Sequence, residues 1–145
     1  VYTREKYQQL FAMWPNVKKL PLLPYSGEER RDLPEHWGTG PYSGVLALTF
    51  KPKAIFMIGY DLYDVDGDVN NMYKGSTGYT YIKRPVDPRY WIYQFNKLFQ
   101  HSDCRWIIVN NEDWKMPDEW KENKNVFQDT YEGLAKFINT QLNKK

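Results

Sequence analysis

Cysteine is almost missing from this chain: Cys104 is the single thiol in 145 residues. One thiol excludes an intrachain disulfide and any thiolate metal cluster, and it fits a reducing, cytoplasmic compartment. Long apolar runs are missing too. No stretch approaches the ~18 residues a membrane span needs, and no signal-peptide pattern opens the sequence, so no membrane span is expected. Charge of one sign is not concentrated anywhere. The 20 Lys and Arg are interspersed with 18 Asp and Glu, for a net charge of +2. A nucleic-acid binder gathers its basic residues on one face, so nucleic acid is not an expected partner. Histidine is scarce, with only His36 and His101. No Ser-His-Asp spacing or nucleophile elbow is present, which argues against hydrolysis through an activated serine. His101 falls in the last turn of an expected helix, where a cation suits the helix dipole. His36 is then the one histidine available as a general base.

Aromatic residues are abundant, at 17% of the chain with 12 Tyr and 6 Trp. They fill cores, and a surplus can line a sugar, base or partner surface. The length fits one domain with a single core.

Hydrophobic spacing sets out the expected elements. Thr3 can cap a first helix carrying Tyr7, Leu10, Phe11 and Trp14 at helical intervals, and Pro15 ends it. Val17 to Leu23 is a short apolar segment, taken as a strand or an extended connection. Residues 24–41 hold three prolines and three glycines and are expected to form a surface loop. Ser43 is placed as the cap of a short helix from Gly44 to Phe50, and Pro52 lies beyond its end. Ala54 to Ile58 is continuously apolar and stops at Gly59, the mark of a strand buried on both faces. Residues 60–88 are a second long loop rich in Gly, Asp, Asn and Tyr. Asp87-Pro88 opens a helix whose stripe is Trp91, Ile92, Phe95, Leu98 and Phe99. Arg105 to Val109 is the next strand. Asp129, with Glu132 three residues on, makes a capping-box pattern for a last helix burying Tyr131, Leu134, Ala135, Ile138 and Leu142. This alternation predicts a Rossmann-like α/β three-layer sandwich with a short, mainly parallel sheet and right-handed crossovers.

Chemistry concentrates where strands are expected to end, which is the ligand crevice of open α/β sheets. Asp64, Asp66 and Asp68 surround Gly67, but the glycine sits at the wrong position for a calcium loop and no Glu closes it. No metal is assigned there. Lys74-Gly75-Ser76-Thr77-Gly78 lacks the order of a phosphate-binding P-loop. Tyr63, Asn70, Asn71 and Tyr73 remain in the first loop, with Asn110 and Asn111 after the next strand. Phenols and carboxamides are neutral donors, able to stabilise a departing phosphate oxygen or hold sugar hydroxyls. A tyrosine-rich loop packed on itself is the alternative for the same residues.

The run Ser43-Gly44, the apolar strand Ala54 to Ile58, and Gly59-Tyr60-Asp61 followed by Leu62-Tyr63 resembles bacterial lipooligosaccharide sialyltransferases. It is also similar to the 6-hydroxymethylpterin pyrophosphokinase (MptE-like) proteins, and covers about half the chain, Ser43 to Asn111. The resemblance implies a glycosyltransferase-like domain that binds a nucleotide-activated sugar, with a CMP-sugar donor, a glycan acceptor and no covalently bound cofactor. It implies that Tyr63 and Tyr73 act catalytically by bonding the leaving phosphate. Ser43, Gly44, Gly59, Asp61, Asn70, Asn71, Asn110 and Asn111 are then the substrate- and nucleotide-binding residues, Ser43 presenting a helix N-terminus to anionic groups. The family's catalytic histidine has no counterpart, because Tyr81-Ile82-Lys83-Arg84-Pro85 stands there. Gly40-Pro41-Tyr42 stands where its arginine precedes the Ser-Gly. Its upstream nucleotide-binding βα unit has no counterpart either, so residues 1–145 are expected to form a single domain lacking that unit. The pterin resemblance implies magnesium held by Asp61, Asp64, Asp66 and Asp68. A non-catalytic interaction module, with a homo-oligomer interface covered by aromatics, is the other alternative.

Overall fold

The computed structural model describes residues 2–3, 18–19, 21–27, 32–33, 36–62 and 88–143. Its elements are β1 (Tyr2–Thr3), β2 (Lys18–Lys19), α1 (Thr39–Thr49), β3 (Ala54–Ile58), α2 (Arg89–Gln100), β4 (Arg105–Asn110), α3 (Asp118–Lys121), β5 (Val126–Thr130) and α4 (Tyr131–Leu142). Strands β3, β4 and β5 form one parallel sheet in that spatial order. Ile55 stands opposite Trp106, and Trp106 opposite Val126. Side chains alternate between the faces of a strand, so this register puts Ile55, Met57, Trp106 and Ile108 on one face and Phe56 and Ile107 on the other.

The first face carries the core. A Cβ at Gly44 of α1 would lie 2.9 Å from Leu98 of α2 and 3.3 Å from Trp106 of β4, so both helices press on this side. Trp37, Phe95, Leu98, Phe99, Trp106, Ile108 and Trp120 are buried here. Helix α4 covers the other face, where the Phe137 ring lies 5.2 Å from that of Phe56. Helices on both sides of a parallel sheet make this a small α/β domain of three layers.

Continuous apolar runs and helical periodicity predict β3, β4 and α2 to within about a residue. Helix α2 follows Pro88 and buries Ile92, Phe95, Leu98 and Phe99, the stripe its spacing predicts. Other expectations are corrected. Helix α1 starts at Thr39, inside the segment expected to be loop, because Pro41 lies in the first turn, where a missing N–H breaks no helical bond. Ser43 is therefore an interior residue and not a cap. Helix α4 is capped by Thr130, whose Oγ1 accepts from the Gly133 N–H at 3.1 Å, while Asp129 is extended in β5. Strand β5 was not expected at all. Its sequence, VFQDT, is short and half polar, and it pairs because β4 offers an open ladder. Lys18–Lys19 pairs with Tyr2–Thr3 and does not join the main sheet. The expected first helix and the loop from residue 63 to 87 lie outside the described residues.

Two corrections concern burial. Ile58 is 52% exposed, so β3 is not buried on both faces along its length. Helix α4 has no buried residue at all, although five of its apolar side chains were expected to be buried.

Helix α1 ends through Phe50 and Lys51, whose amides donate to the carbonyls of Ala47 and Leu48 at 3.1 and 3.0 Å. Lys51 has φ 51°, the left-handed conformation usually taken by glycine just past a helix end. Lys51→Gly is expected to stabilise the fold by about 0.5–1 kcal/mol, since the strain removed exceeds the added chain entropy. A higher denaturation midpoint at unchanged slope is the check.

Candidate functional site

The carboxyl edge of the sheet is built from the ends of β3 and β4 and from the start of α1. Beyond Ile58 the chain turns at Gly59, whose φ of +77° suits glycine although open space surrounds its Cβ position. Tyr60 follows, and its ring packs edge-on against Phe95 at 5.1 Å. Its hydroxyl lies 2.7 Å from Ser43 Oγ. Ser43 donates to the Gly40 carbonyl at 2.6 Å, and the Tyr60 hydroxyl reaches the same carbonyl at 3.4 Å. This pair fastens the first turn of α1 to the end of β3. Asp61 is exposed, and its carbonyl accepts from Trp114 Nε1 at 2.8 Å, tying the two strand ends together. Leu62 is buried with φ +60°. A branched side chain in that region costs about 1–2 kcal/mol, and such strain gathers at functional turns.

Asn110 is the last residue of β4 and stands opposite Thr130 at the end of β5. It is 4% exposed. Its Oδ1 accepts from the Asn111 N–H at 2.9 Å, while its Nδ2 has no hydrogen-bond partner among the described residues. A buried amide donor left without a partner costs about 1–3 kcal/mol, so its presence asks for a reason. Asn111 is exposed and its carbonyl accepts from the Trp114 N–H.

Helix N-termini converge on the same edge. The start of α1 meets Tyr60, which follows β3. The start of α2 lies beside it: the Gly38 N–H donates to Gln94 Oε1 at 3.1 Å, and Gln94 Nε2 and the Tyr90 hydroxyl both donate to the His36 carbonyl. Neither α1 nor α2 has a side-chain cap or an acidic residue in its first turn. Among the described residues, nothing in those first turns offsets the positive helix ends. Helix α4 differs, since Thr130 caps it and Glu132 occupies its first turn.

The flank of this region is held by a polar knot. Asp32 is buried, and its Oδ1 accepts from Tyr93 at 2.6 Å and from Tyr25 at 3.1 Å. Lys97 Nζ lies over both rings, 5.4 and 5.6 Å from their centroids, and His101 stacks on Tyr25 at 4.8 Å. Burial first, and the bond to Asp32 second, hold the Tyr25 phenol far above its ordinary pKa. This knot anchors the segment before α1 to α2, and His101 belongs to it as a packing residue. Burial likewise pushes the Cys104 thiol up, which makes it a poor nucleophile.

The structure brings Ser43, Gly59, Asp61, Asn110 and Asn111 to one edge. Gly44 is corrected: it is buried against Leu98, Trp106 and Phe95, and its lack of a side chain serves helix packing. Ser43 is also corrected in role, because its hydroxyl is engaged by Tyr60 and Gly40 and caps nothing. Tyr63, Asn70, Asn71 and Tyr73 lie outside the described residues, as do Asp64, Asp66 and Asp68. Among the described residues no group of three His, Cys, Asp or Glu could hold a metal ion. Sequence reasoning assigned no role to Tyr60 or Trp114, which tie the edge together. Their positions, directly after Gly59 and four residues after Asn110, were the available signal. Among the described residues no helix is long and apolar enough to cross a membrane. Comparison with protein-family models, with curated proteins and with solved structures finds no match to this chain.

Proposed function

We propose that the carboxyl edge of the sheet binds a nucleotide-activated sugar, as a sialyltransferase-like domain would. The observation that carries the site is the buried Asn110 amide, whose Nδ2 donor has no partner among the described residues and can serve an acceptor on a ligand. A ribose, sugar or pyrimidine oxygen has that chemistry. The uncapped starts of α1 and α2 favour an anion nearby, and a nucleotide phosphate meets that requirement. The CMP-sugar class itself rests on the resemblance of Ser43 to Asn111 to the sialyltransferases. In that reading Tyr63 and Tyr73 donate to the leaving phosphate, and Asn70, Asn71 and Asn111 hold ribose, base or sugar. His101 is stacked on Tyr25, and the general base is unassigned.

Thermal melting with CMP and with CMP-sialic acid tests the proposal. A ligand that binds only the folded state raises the melting temperature in proportion to the logarithm of its concentration over Kd. A rise of several degrees at millimolar ligand is expected for the native chain, and none for Asn110→Leu. No rise with either ligand overturns the nucleotide-sugar assignment. A rise that survives in Asn110→Leu overturns the site.

A further inference from the structure

Gln94 is fully buried in α2 beside the apolar stripe of Ile92, Phe95, Leu98 and Phe99. An amide in such surroundings is costly unless both of its ends are bonded. Here they are: Oε1 accepts the Gly38 N–H at 3.1 Å, and Nε2 donates to the His36 carbonyl at 3.2 Å. The side chain grips residues 36–38 by the pair of bonds a neighbouring parallel strand would make. Gly38 opens α1, extended at φ −69° and ψ 157°. A Cβ there would lie 2.8 Å from Trp91 Nε1, so a capping Ser or Asp does not fit at this position. On the other side, a Cβ at Gly40 would lie 3.2 Å from the Tyr60 ring. The start of α1 is therefore wedged between α2 and the end of β3, and Gln94 fixes its position along α2. Inside the helix the N–H groups of Thr39 and Gly40 have no carbonyl one turn back to bond. Pro41 has no N–H, and Tyr42 is the first to bond back, to Gly38.

Asn110 belongs to the same corner. Alternation along β4 puts it in the row of Trp106 and Ile108, on the face that α1 and α2 cover, at the edge where those helices begin. Its Oδ1 takes the Asn111 N–H, so this buried amide offers only donors, through an Nδ2 with no partner among the described residues. Helix start and carboxamide thus both present donors, which suits a ligand rich in acceptors. Resting on the nucleotide reading given above, we propose that Gln94 is a positioning residue of this site: it holds the open first turn of α1 where the ligand's phosphate meets it. Gln94 itself touches no ligand. Without its amide, residues 36–38 are free to shift along α2. The attraction of a helix end for an anion falls off within one turn, so such a shift is felt by the phosphate and hardly by the nucleoside.

Isothermal titration with CMP and with cytidine separates those two parts of the ligand. The native chain is expected to bind CMP more tightly than cytidine. Gln94→Met has similar length and neither bond, and it should weaken CMP by about five- to tenfold while leaving cytidine within about twofold. Gly38→Ala should act in the same selective way, because its methyl group pushes the start of α1 off Trp91 and leaves Gln94 intact. A merely structural glutamine would lower the denaturation midpoint and keep the ratio of the two affinities. An unchanged ratio in Gln94→Met therefore overturns the proposal, and if that chain does not fold, an unchanged ratio in Gly38→Ala overturns it instead. A native chain that binds both ligands equally removes the phosphate from the start of α1 and overturns the positioning role alone. A native chain that binds neither overturns the nucleotide reading itself.

Discussion

Trp120→Ala is expected to destabilise the domain by about 3–5 kcal/mol, the range for truncating a fully buried large aromatic. Trp120 is completely buried, although it sits in α3, a helix of four residues. Its ring meets Phe95 and Phe99 edge-on at 5.8 and 5.2 Å, and its Nε1 donates to the Ile92 carbonyl at 2.9 Å. One side chain thus fastens the β4–β5 crossover to the inner face of α2. Small domains hold only about 5–15 kcal/mol of net stability, so the loss takes a large share of the total. It should lower the melting temperature by on the order of 10 °C. Trp120→Phe keeps most of the ring contact and loses the hydrogen bond, so it should fall well short of the alanine variant. Urea denaturation of the three chains measures the difference. Equal midpoints for Trp120→Ala and the native chain would mean that α3 is not part of the cooperative core.

Asn110→Leu is expected to act in the opposite direction on the free protein. It removes a buried amide whose Nδ2 lacks a partner, and the side chain it introduces has similar volume and no polar atom to satisfy. The Asn111 N–H, which loses Oδ1 as its acceptor, belongs to an exposed residue and can turn to water. A gain of about 1 kcal/mol follows, read as a melting temperature raised by a few degrees. In the same variant the thermal response to CMP or CMP-sialic acid should disappear. Higher stability with lost binding is the signature of a residue kept for ligand contact at a cost to the fold. A marked loss of stability in Asn110→Leu would instead assign the amide a structural role, and the proposed site would lose its central donor.

Local chemistry was sufficient for the elements whose signals are strong. Ala54 to Ile58 and Trp106 to Val109 are apolar throughout, which suits strands of a parallel sheet. The stripe of α2 repeats at helical spacing behind Pro88. Gly59 marks the turn that ends β3, and Asn110 falls at a strand's carboxyl end because it follows an apolar run. The weaker signals misled. Pro41 and the glycines before it suggested a loop, yet a proline in the first turn of a helix breaks no hydrogen bond. Asp129 and Glu132 have the spacing of a capping box, but β4 draws Asp129 into a strand and passes the cap to Thr130.

By itself, then, the amino-acid sequence determined that this is an α/β chain with parallel strands and where β3 and β4 stop, because apolar runs, periodicity and turn residues act over a few neighbours. Only the tertiary structure decided that Gly44 is a packing residue, that Ser43 is bound by Tyr60, that the Asn110 amide is buried with no partner for Nδ2 among the described residues, and that no residue of α4 is buried. Each of those facts depends on what distant segments bring alongside, and burial and hydrogen-bond partnership are properties of the assembled sheet and helices, not of any single stretch of chain.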